Sequence, residues 1–409
     1  MGAQGSCDQR FSAVQEELER NFAERGEVGA SVCVALDGET VVDLWGGIAD
    51  ASSGREWERD TIGIVWSATK GATALCAHML VSRRELDLDE RVTHYWPEFG
   101  KNGKDEVTVR MLLAHQAGLA AHREPLAEGG LADWDLAVDL LAAQEPWWEP
   151  GTKSGYHALT FGHLAGELVR RVTGGSLGTF FRAEVAEPLG LDFWIGLPAS
   201  EHARVAPTVP AEPPTDPDKL PRFYQAALYD PTSLQGHVVL NSGGLMVPGA
   251  IDTPAVYEAE IPAVNGVANA RALAGMYRPL SLGGGDLIDE ATLAEASRVA
   301  SAVSIDATIL YPTRWSLGFM KAVDNMGLAD GGVENSVLLT DEAFGHVGMG
   351  GSVGFADPKA RLSFGYSMNK QGGGLGMNAR GQALVDTVYR TLGYRQPDAG
   401  GMWFAPADR

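Results

Sequence analysis

Residues 65–80 read VWSATKGATALCAHML. Ser67 stands three residues ahead of Lys70, and the run then becomes alanine-rich and apolar. Side chains at i and i+3 share one face of a helix, so the lysine amine can reach the serine hydroxyl. A helix start also presents unpaired backbone N–H groups, which favour developing negative charge. Taken alone, S-x-x-K fits a capped helix with a solvated lysine equally well. The rest of the chain has to decide.

Working outward, the 409 residues carry 45% hydrophobic and 21% charged side chains, the balance of an ordinary globule. That length suits two subdomains or one composite domain. A formal charge of −21 argues against nucleic acid and against an anionic membrane surface, both of which repel an acidic chain. Cys7, Cys33 and Cys76 are too few and too scattered for a disulfide framework or a zinc site. The first residues, MGAQGSCDQRFSAVQEELERNF, lack an apolar signal-peptide core, and no window approaches the ~18 apolar residues of a membrane span. The expectation is a cytoplasmic protein with no membrane partner and no cofactor.

Phe11, Val14, Leu18 and Phe22 recur at helical spacing and predict an opening helix over 10–25. GASVCVALDGETVVDLWGG predicts two strands about an Asp37-Gly38 turn. Helical patterns follow from Ser67, in ADWDLAVDLLAAQ and in LTFGHLAGELVRRVTGG. Residues 195–260 are Pro-rich and poor in periodicity, which reads as a long loop walling a pocket. RWSLGFMKA, EAFGHVGMGGSVGFADP and ARLSFGYSMN then look like strands, and NARGQALVDTVYRTLGY like a closing helix. Strands at both ends with helices between predict an α/β fold: an antiparallel sheet flanked by helices, with a mainly helical second lobe. The expected division puts 1–66 and 250–409 in the α/β lobe and 67–249 in the helical lobe, forming one composite domain over about 10–395.

A serine hydroxyl needs a base and oxyanion donors before it attacks a carbonyl. The candidates come in order: Ser67 and Lys70, then Tyr156 in GTKSGYHALTFG, then His346 in FGHVGMGGS. Other boxes accompany them, namely MLLAHQAGL, WEPGTKSGYH and GHVGMGGS. The ordered set resembles the serine β-lactamase and penicillin-recognising superfamily, specifically the class C-like branch that includes the family VIII carboxylesterases. The boxes are similar to that family's S-x-x-K, L-L-x-H-x-S-G-L and P-G-x-x-x-x-Y segments, with His-Val-Gly in place of K-T-G. The resemblance implies a nucleophilic Ser67 activated by Lys70 and Tyr156, and an acyl-enzyme resolved by water or another acceptor. It implies oxyanion donors at the N–H groups of Ser67 and Met349, with Trp66, His346 and Gly348 lining the substrate site.

A charged lysine is no base, so Lys70 must be desolvated or share a proton with Tyr156, and such a pair titrates as a unit. Two departures from the lactamase pattern bear on substrate. Ala158 stands where the Y-x-N asparagine would hold a side-chain amide, and His346, neutral near pH 7, replaces the cation that meets a β-lactam carboxylate. Both losses favour small to medium neutral esters. The alternatives are an acyltransferase, a D-amino-acid amidase or peptidase, a weak β-lactamase, and a non-catalytic penicillin-binding-like sensor.

GGSVG around Ser352 matches G-x-S-x-G, but strand-like sequence follows it and no histidine lies downstream of His346, so Ser352 reads as a turn residue. The histidines form no metal-ligand pattern, and His115 reads as a satisfied structural residue at a helix end. Trp147, Trp148, Phe223, Tyr224 and Tyr229 are candidates for an apolar acyl or alcohol pocket. The partner expected is a small ester, and a homo-oligomer stays open.

Overall fold

The computed structural model describes residues 2–406 apart from 213 and 399. Its centre is an antiparallel sheet in the order Gln4–Cys7, Glu39–Asp50, Gly29–Leu36, Leu362–Met368, Val353–Asp357, Phe344–Val347, Met320–Lys321, Thr313–Trp315, Ser301–Val303. The first hairpin turns through Asp37 and Gly38 at φ of 50° and 88°. Those positive angles are what a two-residue turn matching the strand twist requires, and Asp-Gly tolerates them. Ends of the chain meet in mid-sheet, where Gly29–Leu36 pairs Leu362–Met368 from Ala30↔Met368 to Leu36↔Leu362. This is the mixed α/β architecture read from the sequence.

Alternation along Gly29–Leu36 sends Val32 and Val34 to one face and Cys33 to the other. The first face is covered by helices Ser12–Glu24 and Ala379–Thr391, whose Val14, Leu18, Leu384 and Val388 fill the core with Phe355 and Phe364. Helix Ala270–Tyr277 covers the second face, and its Leu273, Met276 and Tyr277 join a larger core with helix Thr69–Ser82. Thr69–Ser82 is buried nearly throughout, as expected of a helix apolar on all sides. Gly71 is required within it, because a Cβ there would sit 2.0 Å from the Tyr277 hydroxyl.

Residues 195–260 depart from the long loop expected. They hold helices Arg222–Tyr229, Leu234–Leu240 and Pro254–Glu258, the last two separated by a longer connection that contains the short turn Ala250–Asp252. Proline and aspartate crowd the preceding stretch and mask their periodicity. A second, four-stranded sheet of Phe193–Trp194, Val267–Ala268, Ile62–Ile64 and Val205–Ala206 is also new. Its strands are too short to show a two-residue period. Ile62–Ile64 matters most, because it delivers the chain to Ser67.

Candidate active site

Between that strand and helix Thr69–Ser82 the chain makes one tight turn, Trp66–Ala68. Trp66 lies at φ 49°, in the left-handed region that a bulky residue enters at a cost of about 1–3 kcal/mol. Three bonds hold it there. Val65 N donates to Gly266 O (2.8 Å), the Ser352 hydroxyl donates to Val65 O (2.7 Å), and the Thr69 hydroxyl donates to Trp66 O (2.5 Å).

Lys70 Nζ lies 3.1 Å from Ser67 Oγ and donates to the carbonyls of Ala158 (2.7 Å) and Ala263 (2.9 Å). The lysine is fully buried, and burial holds its pKa well below the usual lysine range. A neutral amine has two N–H groups and one lone pair. In that neutral form two carbonyls take the N–H groups and the lone pair is left for the Ser67 O–H; in the charged form the third N–H donates to Ser67 Oγ. Tyr156 stands beside the pair: burial raises the pKa of its phenol, and the neighbouring Ser67 hydroxyl works against that rise. Lys70 Nζ sits over the Tyr156 ring, 4.7 Å from the centroid.

The turn Val347–Ser352 closes the site from the sheet side. Gly348 N donates to Ser352 O (2.6 Å), which commits that N–H to the turn and leaves Gly348 as part of the wall. A Cβ at Gly348 would meet Val65 O at 2.2 Å, so only glycine allows this approach to the serine. Among the described residues the backbone N–H groups of Ser67 and Met349 find no protein acceptor. Ser352 is fully buried and spends its hydroxyl on Val65, a turn residue as read.

His346 Nδ1 lies 2.7 Å from Val347 O, so Nδ1 carries the hydrogen and Nε2 keeps a lone pair with no protein partner. Burial lowers its pKa to about 3, which keeps the ring neutral at working pH. His115 is buried at φ 59° where its helix ends, and its Nδ1 accepts from His157 N at 3.2 Å. Its Nε2 finds no partner, so the histidine is only half satisfied.

These groups open onto a cleft of about 700 Å³ lined by Trp66, Tyr224, Val238, Met246, Ile309 and Leu375, among others. Among the described residues no charged side chain lines it. Of the five aromatics expected, Phe223 and Tyr224 are there, with the Tyr224 hydroxyl 3.3 Å from Met349 Sδ. Trp147 instead packs on His237 and under Arg123, Trp148 is buried against His157, and Tyr229 faces solvent, bonded to Asp218. Val238, Met246 and Leu375 went unread because an apolar side chain far away in sequence carries no local mark. Asp306 also went unread; its carboxylate accepts the Tyr156 N–H at 2.9 Å. Among the described residues no group of His, Cys, Asp and Glu could hold a metal ion, and no helix is long and apolar enough to cross a membrane.

The chain belongs to the Beta-lactamase family, whose model matches residues 15–388. It is similar to the esterase/beta-lactamase LipL of Mycobacterium tuberculosis, at 37% identity over 90% of this chain and 82% of that one. A crystal structure of a family VIII carboxylesterase superposes with a TM-score of 0.81 at 40% identity, covering 96% of this chain and 100% of the other. A penicillin-binding protein homologue from Caulobacter crescentus does so with a TM-score of 0.82 at 37% identity, with the same coverage.

Proposed function

We propose that the protein is a serine carboxylesterase of small to medium neutral esters, working through an acyl-enzyme on Ser67. The observation that carries this is the buried Lys70 amine, held by the Ala158 and Ala263 carbonyls with Nζ 3.1 Å from Ser67 Oγ; burial lowers its pKa, and in the neutral form its lone pair is free for the Ser67 O–H. Ser67 gives its proton to that amine as Oγ attacks the ester carbonyl. The N–H groups of Ser67 and Met349 take the oxyanion. The Tyr156 phenol gives its own proton to the leaving alkoxide; its phenolate then takes a proton from the attacking water, and the Lys70 ammonium returns its proton to Ser67 Oγ as the acid leaves. The esterase relatives support the substrate class, and so does a cleft with no cation for a β-lactam carboxylate. His346 and Trp66 contribute wall and shape, and no cofactor is needed. Three unpaired cysteines support a reducing cytoplasmic location.

The test combines labelling and kinetics. A fluorophosphonate should mark Ser67, Ser67→Ala should abolish turnover of 4-nitrophenyl butyrate, and a chromogenic cephalosporin should run roughly two decades slower than the ester. An adduct on Ser352 alone overturns the nucleophile, and a cephalosporin faster than the ester makes the protein a lactamase. A single burst without turnover makes it a sensor.

A further inference from the structure

Tyr156 sits on a stretch of irregular backbone, Lys153–Gly155 lying outside any helix or strand. Proton transfer needs a donor held to a fraction of an ångström, and a coil does not supply that unaided. A carboxylate 150 positions away in the chain does. Asp306 is fully buried, and Oδ1 accepts from the backbone N–H groups of Tyr156 (2.9 Å), Thr308 (2.9 Å) and Ile309 (3.1 Å). Oδ2 accepts from Tyr156 N (3.1 Å), the Thr313 hydroxyl (3.2 Å) and Trp315 Nε1 (3.3 Å). Among the described residues no cation pairs with it. Burial raises its pKa, and the N–H and O–H donors around it, each aimed by the fold, work against that rise.

Two of those donors belong to Tyr156 itself or to its platform. The Trp315 ring lies parallel to the Tyr156 ring, 4.9 Å between centroids and 3° between planes. Asp306 thus grips the phenol from its backbone and from the ring beneath it. The same segment is pinned from both sides: Ala307 N donates to Ser154 O (3.0 Å), and Gln235 of helix Leu234–Leu240 donates to the carbonyls of Ala307 and Thr308.

We propose that Asp306 is the positioning residue that sets the Tyr156 phenol against Ser67. The proposal rests on the Ser67–Lys70–Tyr156 centre proposed above. The titratable groups packed about the phenol are Lys70, His115, His157, His346 and Asp306. The three histidines are held neutral by burial. Burial is the larger reason the phenol stays protonated, and the Asp306 carboxylate, the negative charge in the set, adds to it. Removing that charge lowers the phenol's pKa, so the alkaline limb of the rate profile moves to lower pH.

The experiment is Asp306→Asn on the full chain, with active sites counted by fluorophosphonate and rates of 4-nitrophenyl butyrate hydrolysis expressed per counted site. The expected result is kcat per site down roughly ten- to a hundredfold with KM little changed, and the alkaline limb displaced downward. Wild-type kcat per site, with only the number of sites reduced, shows a purely structural role and overturns the proposal. Thr313→Val keeps the shape and removes one donor, so it serves where Asp306→Asn does not fold; a severalfold loss of kcat per site is expected, and no loss overturns the proposal. Tyr156→Phe separates the two ideas. Full kcat per site in that variant sinks the catalytic centre itself. An impaired Tyr156→Phe beside an unimpaired Asp306→Asn sinks only the role given to Asp306.

Discussion

Exchanging 4-nitrophenyl hexanoate for the hemiglutarate ester of 4-nitrophenol puts a carboxylate where a methyl terminus would lie. The acyl chain enters a cleft walled by Val238, Met246, Val264, Ile309, Met320 and Leu375. Its few polar groups do not welcome an anion. The Tyr224 hydroxyl is engaged with Met349 Sδ, and His346 presents a lone pair rather than a proton. An unpaired carboxylate loses several kcal/mol on leaving water in a real protein, and a cleft open on one side reduces that to about 3 kcal/mol. At 1.36 kcal/mol per decade, kcat/KM for the hemiglutarate should fall about a hundredfold below that for the hexanoate. Initial rates of nitrophenol release at pH 7 on one preparation measure both. Leu375→Lys, at a half-buried wall position, should recover roughly fivefold on the anionic ester, the worth of a partly solvated ion pair. If the two esters matched within about threefold in the unmodified protein, the uncharged cleft would not govern selectivity and the reasoning would be wrong.

Other outcomes follow from single contacts. Lys70→Ala and Tyr156→Phe should each slow acylation by orders of magnitude, with the double variant little worse than the poorer single one, because both act through the Ser67 hydroxyl; fully multiplicative losses in stopped-flow acylation would mean independent roles. Ser352→Ala should keep most ester turnover yet lose about 1–2 kcal/mol of stability in urea titration, having orphaned the Val65 carbonyl. Gly71→Ala should cost at least about 1–3 kcal/mol, since its methyl group meets the Tyr277 hydroxyl inside a packed core; an unchanged melting temperature would show that Tyr277 moves freely.

What could be read from sequence was what local geometry decides. Three residues of helix bring Ser67 and Lys70 to 3.1 Å, and no distant contact is needed to foresee that. Asp37-Gly38 turns a hairpin because its own backbone tolerates positive φ, and the apolar spacing of Val14 and Leu18 marks a helix wherever it packs. Tertiary structure decided the rest. A lysine can act as a base only if the fold buries it, and the two carbonyls that hold the Lys70 amine lie 88 and 193 residues away. Ser352 is a strut, rather than a rival nucleophile, through a bond spanning 287 residues. Carbonyls, apolar walls and a lone aspartate such as Asp306 look the same in sequence whether they line a site or fill a core. Their roles come from which groups close packing sets within about 3 Å of one another, and spacing along the chain does not encode that contact.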